Sequence, residues 1–284
     1  MTSAPSIVDS AGSDQRGWWP GIATVYVPTD FSPLSWQVLP LAGYLAKRFG
    51  ARLVPVHVDT TRPWQPEDAA AIRLRVTPFG RAVDVLVTAD ADPVRGLERT
   101  LARAPGSVLA LSTHGRSGFG ELTFGSVVEG LLRRIDAPMV AVGPGFDIGR
   151  HAFVRRVVAA VDVGATADAL VADAVAWARL LEVPLELVHV RAPLYGDGRR
   201  EPDDVARFEA LAAEAAAEDP RVTAVVLPGV RRAREVVSHA AALRGTLLAM
   251  SSRARPATER MVVGSAVTAV LRHTPTGVLL LRRR

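Results

Sequence analysis

The feature that most limits what this chain can fold into is a repeat of whole-domain length. Residues 22–58, IATVYVPTDFSPLSWQVLPLAGYLAKRFGARLVPVHV, align with residues 155–190, RRVVAAVDVGATADALVADAVAWARLLEVPLELVHV. Asp30 falls on Asp162, and His57-Val58 falls on His189-Val190 at the same offset. Gly125-Ser126 falls on Gly264-Ser265 at a longer offset, the extra residues of the second half lying between its second and fourth strands. A repeat this long means two copies of a domain, not a solenoid of small units. The 284 residues are enough for two ordinary domains.

Each copy alternates strand and helix patterns. In the first, apolar β-rich runs at 22–28, 52–58, 82–87, 107–112 and 138–142 predict strands, and helical spacing predicts helices at 34–49, 66–75, 93–103 and 125–135. Leu34, Val38, Leu41, Leu45 and Phe49 form one stripe, and Gly50 stops that helix. The second copy repeats the pattern with strands at 156–162, 185–190, 221–227, 246–251 and 277–282. Its helices are expected at 166–181, 202–218, 231–243 and 264–273. Strands apolar on both faces and separated by amphipathic helices indicate a parallel sheet covered on both sides. The expected fold is therefore α/β: two tandem doubly wound domains, each a five-stranded parallel sheet flanked by helices. The boundaries drawn are a flexible arm at 1–20, in which Trp18 and Trp19 can dock on the body, and domains at 21–146 and 152–284.

Composition narrows the function classes. With 49% hydrophobic residues a large core is available. No apolar run is long enough to span a bilayer, and the N-terminus lacks the pattern of a signal peptide. The absence of cysteine excludes disulfides and thiolate chemistry, and fits a cytoplasmic protein. The net charge of +5 comes with scattered arginines and a single lysine, Lys47. No basic run is interleaved with aromatics, so nucleic acid is not the expected partner.

Strand 107–112 leads into STHGRSGFGELTFGS, residues 112–126, with glycine at 115, 118, 120 and 125 before a helix start. A helix N-terminus offers unpaired N–H groups and partial positive charge, and glycines let backbone approach a phosphate closely. The stretch is neither a P-loop, since no GxxxxGK[ST] run occurs, nor the dinucleotide fingerprint, which would sit on the first strand-to-helix turn. By composition alone an ordinary glycine-rich connection with a serine cap fits as well as a phosphate cradle. In a doubly wound sheet, however, Asp30 and residues 112–126 share the carboxyl edge, where ligands sit.

These residues give the chain a specific resemblance. It resembles a tandem universal stress protein over roughly 20–145 and 155–284. The family's G-x2-G-x9-G-[ST] motif becomes Ser112-x2-Gly115-x9-Gly125-Ser126, with serine in place of the first glycine. The opening V-P-T-D-F-S at 27–32 and Val-His-Val at 56–58 accompany it. The resemblance implies an ATP site, with Mg²⁺ as an optional companion. Asp30 would accept hydrogen bonds at the adenosine end, where Pro28 and Thr29 shape the pocket and Val58 presents backbone to the base. Ser112, His114 and Gly115 would line the ribose and α-phosphate side. Gly125, Ser126 and Val127 would hold phosphates, with Arg116 as a charge partner.

In the second copy the motif reads Ser251-x2-Ala254-x9-Gly264-Ser265, and Pro256 stiffens the loop. A Cβ where a left-handed backbone is wanted, and a proline lacking N–H, both oppose a phosphate cradle. Asp162, Val190, Ser251, Gly264 and Ser265 are therefore expected to form a weaker site or none. Catalytic groups are scarce: His57 and His189 read as core residues of the second strands, and Asp90 and Asp92 as a solvated turn rather than a Mg²⁺ site. The expected function is an ATP-binding stress-response regulator acting as a switch for an unidentified protein partner. A slow ATPase and a non-nucleotide dimerisation scaffold are the alternatives. The apolar last strands, 138–142 and 277–282, need pairing and predict an intramolecular pseudo-dimer, with a homodimer of whole chains as a further level.

Overall fold

The computed structural model describes residues 21–60, 64–80, 85–113, 126–191, 201–252 and 265–281. The arm 1–20 and the predicted site residues His114, Gly115, Arg116, Gly125 and Gly264 lie outside them, as do the side chains of Ser126 and Ser265.

The first half runs β1 (Thr24–Pro28), α1 (Leu39–Phe49), β2 (Arg52–Asp59), α2 (Pro66–Val76), β3 (Leu86–Ala89), α3 (Pro93–Ala102), β4 (Ser107–Ser112), α4 (Ser126–Arg134) and β5 (Met139–Val142). A short helix, α5 (Ile148–His151), links it to the second half. There follow β6 (Arg156–Ala160), α6 (Ala167–Leu181), β7 (Leu185–Arg191), α7 (Glu201–Glu218), β8 (Val222–Pro228), α8 (Arg232–Ala242), β9 (Thr246–Ser251), α9 (Ser265–His273) and β10 (Gly277–Leu281).

All ten strands form one sheet, in the order β3-β2-β1-β4-β5-β10-β9-β6-β7-β8. Pairing is parallel within each half. The exception is the joint, where β5 and β10 run antiparallel with Val140 opposite Leu279 and Ala141 opposite Val278. The last strands carry no charged residue and are fully buried. Pairing them satisfies the backbone groups that an open edge would strand.

The pleat sends alternate residues to two continuous cores. On β4, Val108 and Ala110 join the layer under α1, α2, α6 and α7, while Leu109 and Leu111 join the layer under α3, α4, α8 and α9. Both layers contain residues of both halves. Across the joint, the Phe49 ring meets Trp177 edge-on at 5.6 Å. The Tyr44 hydroxyl donates to the Val154 carbonyl at 2.8 Å, and Arg48 donates to the Leu181 carbonyl at 2.9 Å and pairs with Glu182. Burying a side chain as large as Leu or Phe stabilises by roughly 1.5–3 kcal/mol, so this shared packing ties the halves together.

Two local departures from the sequence pattern have clear causes. The first helix begins at Leu39, not at 34, because Pro40 has no N–H to give Trp36 and would clash with its carbonyl. Pro33 to Trp36 instead form a separate 3₁₀ turn capped by Ser32. Among the described residues the third strand occupies Leu86–Ala89, running past the end of the predicted 82–87, of which 82–84 lie outside the described residues. Its hydrogen-bonding partner β2 sets that register, with Val56 opposite Leu86 and Val58 opposite Thr88.

Candidate functional site

The sheet order turns between β1 and β4: β2 and β3 extend to one side of β1, β4 and β5 to the other. A crevice opens beyond the carboxyl ends at such a point. Hydrogen-bond parity shows which peptide groups face it. The Val56 carbonyl accepts from Thr29 at 2.9 Å, and the Asp59 carbonyl accepts from Asp90 at 3.2 Å. Alternate residues of a parallel strand face the same neighbour. Val58 therefore turns its peptide groups toward the space past the end of β1. On the other side the Thr113 N–H bonds the Val142 carbonyl at 2.9 Å, so Ser112 faces the same space. The Ser112 hydroxyl lies 3.4 Å from the Ser35 carbonyl.

Between them runs the loop Thr29–Ser35, built from short polar side chains bonded to local backbone. Thr29 Oγ1 accepts from the Phe31 N–H at 3.0 Å and lies 3.1 Å from Ser35 Oγ. Asp30 Oδ1 accepts from the Ser32 N–H at 2.9 Å. The Ser35 hydroxyl donates to the Ser32 carbonyl at 2.8 Å, and Ser32 Oγ accepts from the Ser35 N–H at 3.2 Å. These bonds hold Phe31 at a φ of 66°, an uncommon left-handed conformation for a bulky residue. The Phe31 ring packs 4.6 Å from that of His57.

Asp30 is half-buried. Burial is the largest influence on its carboxyl and pushes the pKa up. Hydrogen bonds from the side chain and backbone of Ser32, the Ser35 side chain and its own backbone together outweigh that and hold it below the ordinary value. A fixed, ionised acceptor at the mouth of the crevice suits a ligand rich in N–H or O–H donors. Beyond β4, α4 begins at Ser126, with Val127 half-buried in its first turn. Its leading N–H groups form the electropositive counterpart to Asp30.

The histidines of the second strands have a defined job. His57 is buried, and its Nδ1 donates to the Thr29 carbonyl at 2.9 Å; His189 does the same to the Val161 carbonyl at 3.0 Å. In each half the histidine fixes the peptide immediately before Asp30 or Asp162, and with it the entry to the loop. The sequence marked both as core residues, and the structure adds this bond. Ser32 and Ser35, which build the turn around Asp30, are absent from the residues expected at the site. The Thr-Asp-x-Ser spacing was the available signal, since Asp and Thr bonding two residues ahead is a recurrent turn device.

The second half keeps the frame and loses the grip. Val190 and Ser251 occupy the places of Val58 and Ser112, and α9 begins at Ser265. Asp162 is exposed, because Gly164 stands where Ser32 stands in the first half and offers its N–H to the Asp162 carbonyl instead. The Asp162 carboxylate pairs with Arg232 at 3.5 Å. Asp90 and Asp92 are also committed: Asp90 pairs with Arg99 at 2.6 Å, and Asp92 caps α3 by accepting from the Val94 N–H at 2.9 Å. Among the described residues no three side chains form a metal-binding group, and no helix is long and apolar enough to cross a membrane.

A sequence model of the universal stress protein family matches this chain twice, at residues 21–143 and at 154–282. The chain belongs to the universal stress protein family. Its two universal stress protein domains are also found in tandem in solved structures. A universal stress protein from Archaeoglobus fulgidus DSM 4304 is 22% identical, with a TM-score of 0.66 over 92% of this chain and 96% of that one. A putative universal stress protein from Pseudomonas aeruginosa UCBPP-PA14 is 15% identical, with a TM-score of 0.64 over 92% of this chain and 93% of that one. A universal stress protein in complex with cAMP matches 42% of this chain and 95% of its own length at 22% identity, with a TM-score of 0.35. The two full-length likenesses show the shared fold. No curated protein matches the chain significantly.

Proposed function

We propose that the first universal stress protein domain binds ATP and that the bound nucleotide switches the chain's interaction with a protein partner. The observation that carries this reading is Asp30, a carboxylate held ionised by Ser32 and Ser35 at the topological switch point. Asp30 accepts hydrogen bonds at the adenosine end beside Pro28 and Thr29, and the Val58 peptide meets the base edge. Ser112, with His114 and Gly115 of the following loop, lines the ribose and α-phosphate side. Gly125, Ser126 and Val127 hold the phosphate chain at the start of α4, with Arg116 as charge partner. Any Mg²⁺ arrives on the phosphates, since Asp90 and Asp92 already serve Arg99 and α3. ATP orders the glycine-rich loop and so biases the surface offered to the partner, a shift between loop populations.

The second domain is the internal control. Asp162 faces solvent and a guanidinium rather than a serine-built turn, and its loop carries Ala254 and Pro256. Calorimetric titration with ATP, ADP and cyclic AMP tests the assignment. Losing a charged hydrogen bond costs about 1.5–3 kcal/mol, or roughly tenfold to a hundredfold in affinity. Asp30→Asn is expected to weaken ATP by that amount and Asp162→Asn to leave it unchanged. ATP should bind more tightly than cyclic AMP, which offers α4 no phosphate chain. Equal loss in both variants, or an Asp30→Asn protein that binds ATP normally, overturns the reading.

A further inference from the structure

Among the described residues the strands β5 and β10 are apolar edges already paired with each other, and β8, at the outer end of the sheet, is a further apolar edge. β8 is seven residues long, VTAVVLP, with no charged residue along it. Natural edge strands are usually short, or guarded by charged side chains. The opposite edge follows that rule: β3 has four residues, and Arg99 lies across its end, donating to the Ala89 carbonyl at 3.0 Å while paired with Asp90. Arg191 of β7 lies opposite Pro228, and Arg221, immediately before β8, is held by an acid. The Arg221 guanidinium makes bonds of 3.0 and 2.8 Å to Asp219. Past the other end, Val230 is 67% exposed.

The backbone parity of β8 follows from its two ends. Leu185 donates to the Arg221 carbonyl at 3.2 Å, and Gly229 donates to the Arg191 carbonyl at 2.9 Å. Residues 221, 223, 225, 227 and 229 therefore face β7, while Val222, Ala224, Val226 and Pro228 turn their peptide groups outward. We propose that β8 pairs antiparallel with β8 of a second copy of this chain about a two-fold axis at Val225, continuing the sheet across two molecules. Ala224 then exchanges both hydrogen bonds with Val226 of the other copy, and the reverse pair does the same. The Val222 N–H reaches the Pro228 carbonyl, and the missing Pro228 N–H ends the ladder. The arrangement is self-complementary, as a two-fold interface requires. It also repeats the chemistry of the joint, where uncharged β5 and β10 already meet antiparallel. A second copy therefore fits this edge without a new kind of contact.

Val225 faces inward, so it and its symmetry mate form a non-hydrogen-bonded pair with Cα atoms about 4.5 Å apart, within the reach of a disulfide. The chain has no cysteine, so a single introduced thiol reports one contact only. Under mild oxidation Val225→Cys is expected to give a covalent dimer. Val226→Cys, whose mate is Ala224, and Val87→Cys on β3 are expected to form no covalent dimer. Ala224→Pro removes an outward N–H and leaves the β7 ladder intact. In sedimentation velocity it should weaken the wild-type dimer at least tenfold. A wild-type chain that is monomeric at about 100 µM, a Val225→Cys protein that does not cross-link, or an Ala224→Pro protein that dimerises as well as wild type overturns the proposal.

Discussion

Gly96→Ala sets two effects of opposite sign against each other, and the structure decides between them. In an isolated helix the change would stabilise by about 0.8–1 kcal/mol. Here the added Cβ would sit 2.8 Å from Val58 Cγ1, 3.1 Å from Val58 Cγ2 and 3.4 Å from Asp90 Cβ. Ordinary carbon–carbon contact is about 3.5–4.0 Å, so α3 or Val58 must move by roughly 0.7–1 Å. Val58 is β-branched and nearly fully buried, and it lies opposite Thr88 of β3, so its side chain has little room to swing aside. Overpacking of this kind costs about 1–3 kcal/mol. The net expectation is a loss of up to about 2 kcal/mol, which lowers the melting temperature by up to about 4 °C in a chain of this size. The strain falls on the residue whose peptide faces the crevice, so ATP affinity should drop about threefold or more. Urea unfolding paired with ATP titration of the same preparations measures both. A Gly96→Ala protein that is more stable than wild type and binds ATP equally well refutes the reasoning about α3 and Val58.

The other predictions concern how the loop and the second half are held. His57→Phe and His189→Phe each strand a carbonyl and should cost about 1–3 kcal/mol in stability; only His57→Phe should also weaken ATP, which calorimetry on both variants checks. Ser35→Ala removes one of the bonds that lowers the Asp30 pKa. Carboxyl titration by NMR should find Asp30 shifted upward, with ATP affinity reduced severalfold. The Asp219 carboxyl is held well below its ordinary value of 3.8, first by the Arg221 side chain and backbone, against burial, with help from Arg179. The unfolded chain takes up that proton before the folded one, so this stabilisation is complete above about pH 4 and is lost as the pH falls toward the depressed value. Asp219→Asn should therefore be less stable than wild type at neutral pH, by about 1–2 kcal/mol, and the gap should narrow in urea titrations below pH 4.

Much of this was legible in the sequence because the repeat and the apolar strands are strong signals. MVAV and GVLLL have one arrangement that leaves neither edge exposed, and the joint follows from that. The placement of Asp30 and Ser112 on one edge was legible because a doubly wound sheet puts strand ends and helix starts there. The start of α1 was misplaced because the stripe from Leu34 to Phe49 reads through Pro40, and a periodic pattern carries no information on a missing N–H. The α5 link was missed because four residues give no periodicity. The serine network around Asp30 and the fit of Gly96 against Val58 depend on distances between segments far apart in sequence. The difference between Asp30 and Asp162 was visible in part: the loop from 253 to 264 pointed to it, whereas the exchange of Ser32 for Gly164 gained its meaning only from the turn.

The proposed function requires one nucleotide per chain, held in the first half. Non-denaturing mass spectrometry of the full chain with excess ATP counts it directly. The account predicts a single bound nucleotide per chain, lost in Asp30→Asn and retained in Asp162→Asn. Two equally occupied sites per chain, or a single site that survives Asp30→Asn and disappears with Asp162→Asn, would contradict it.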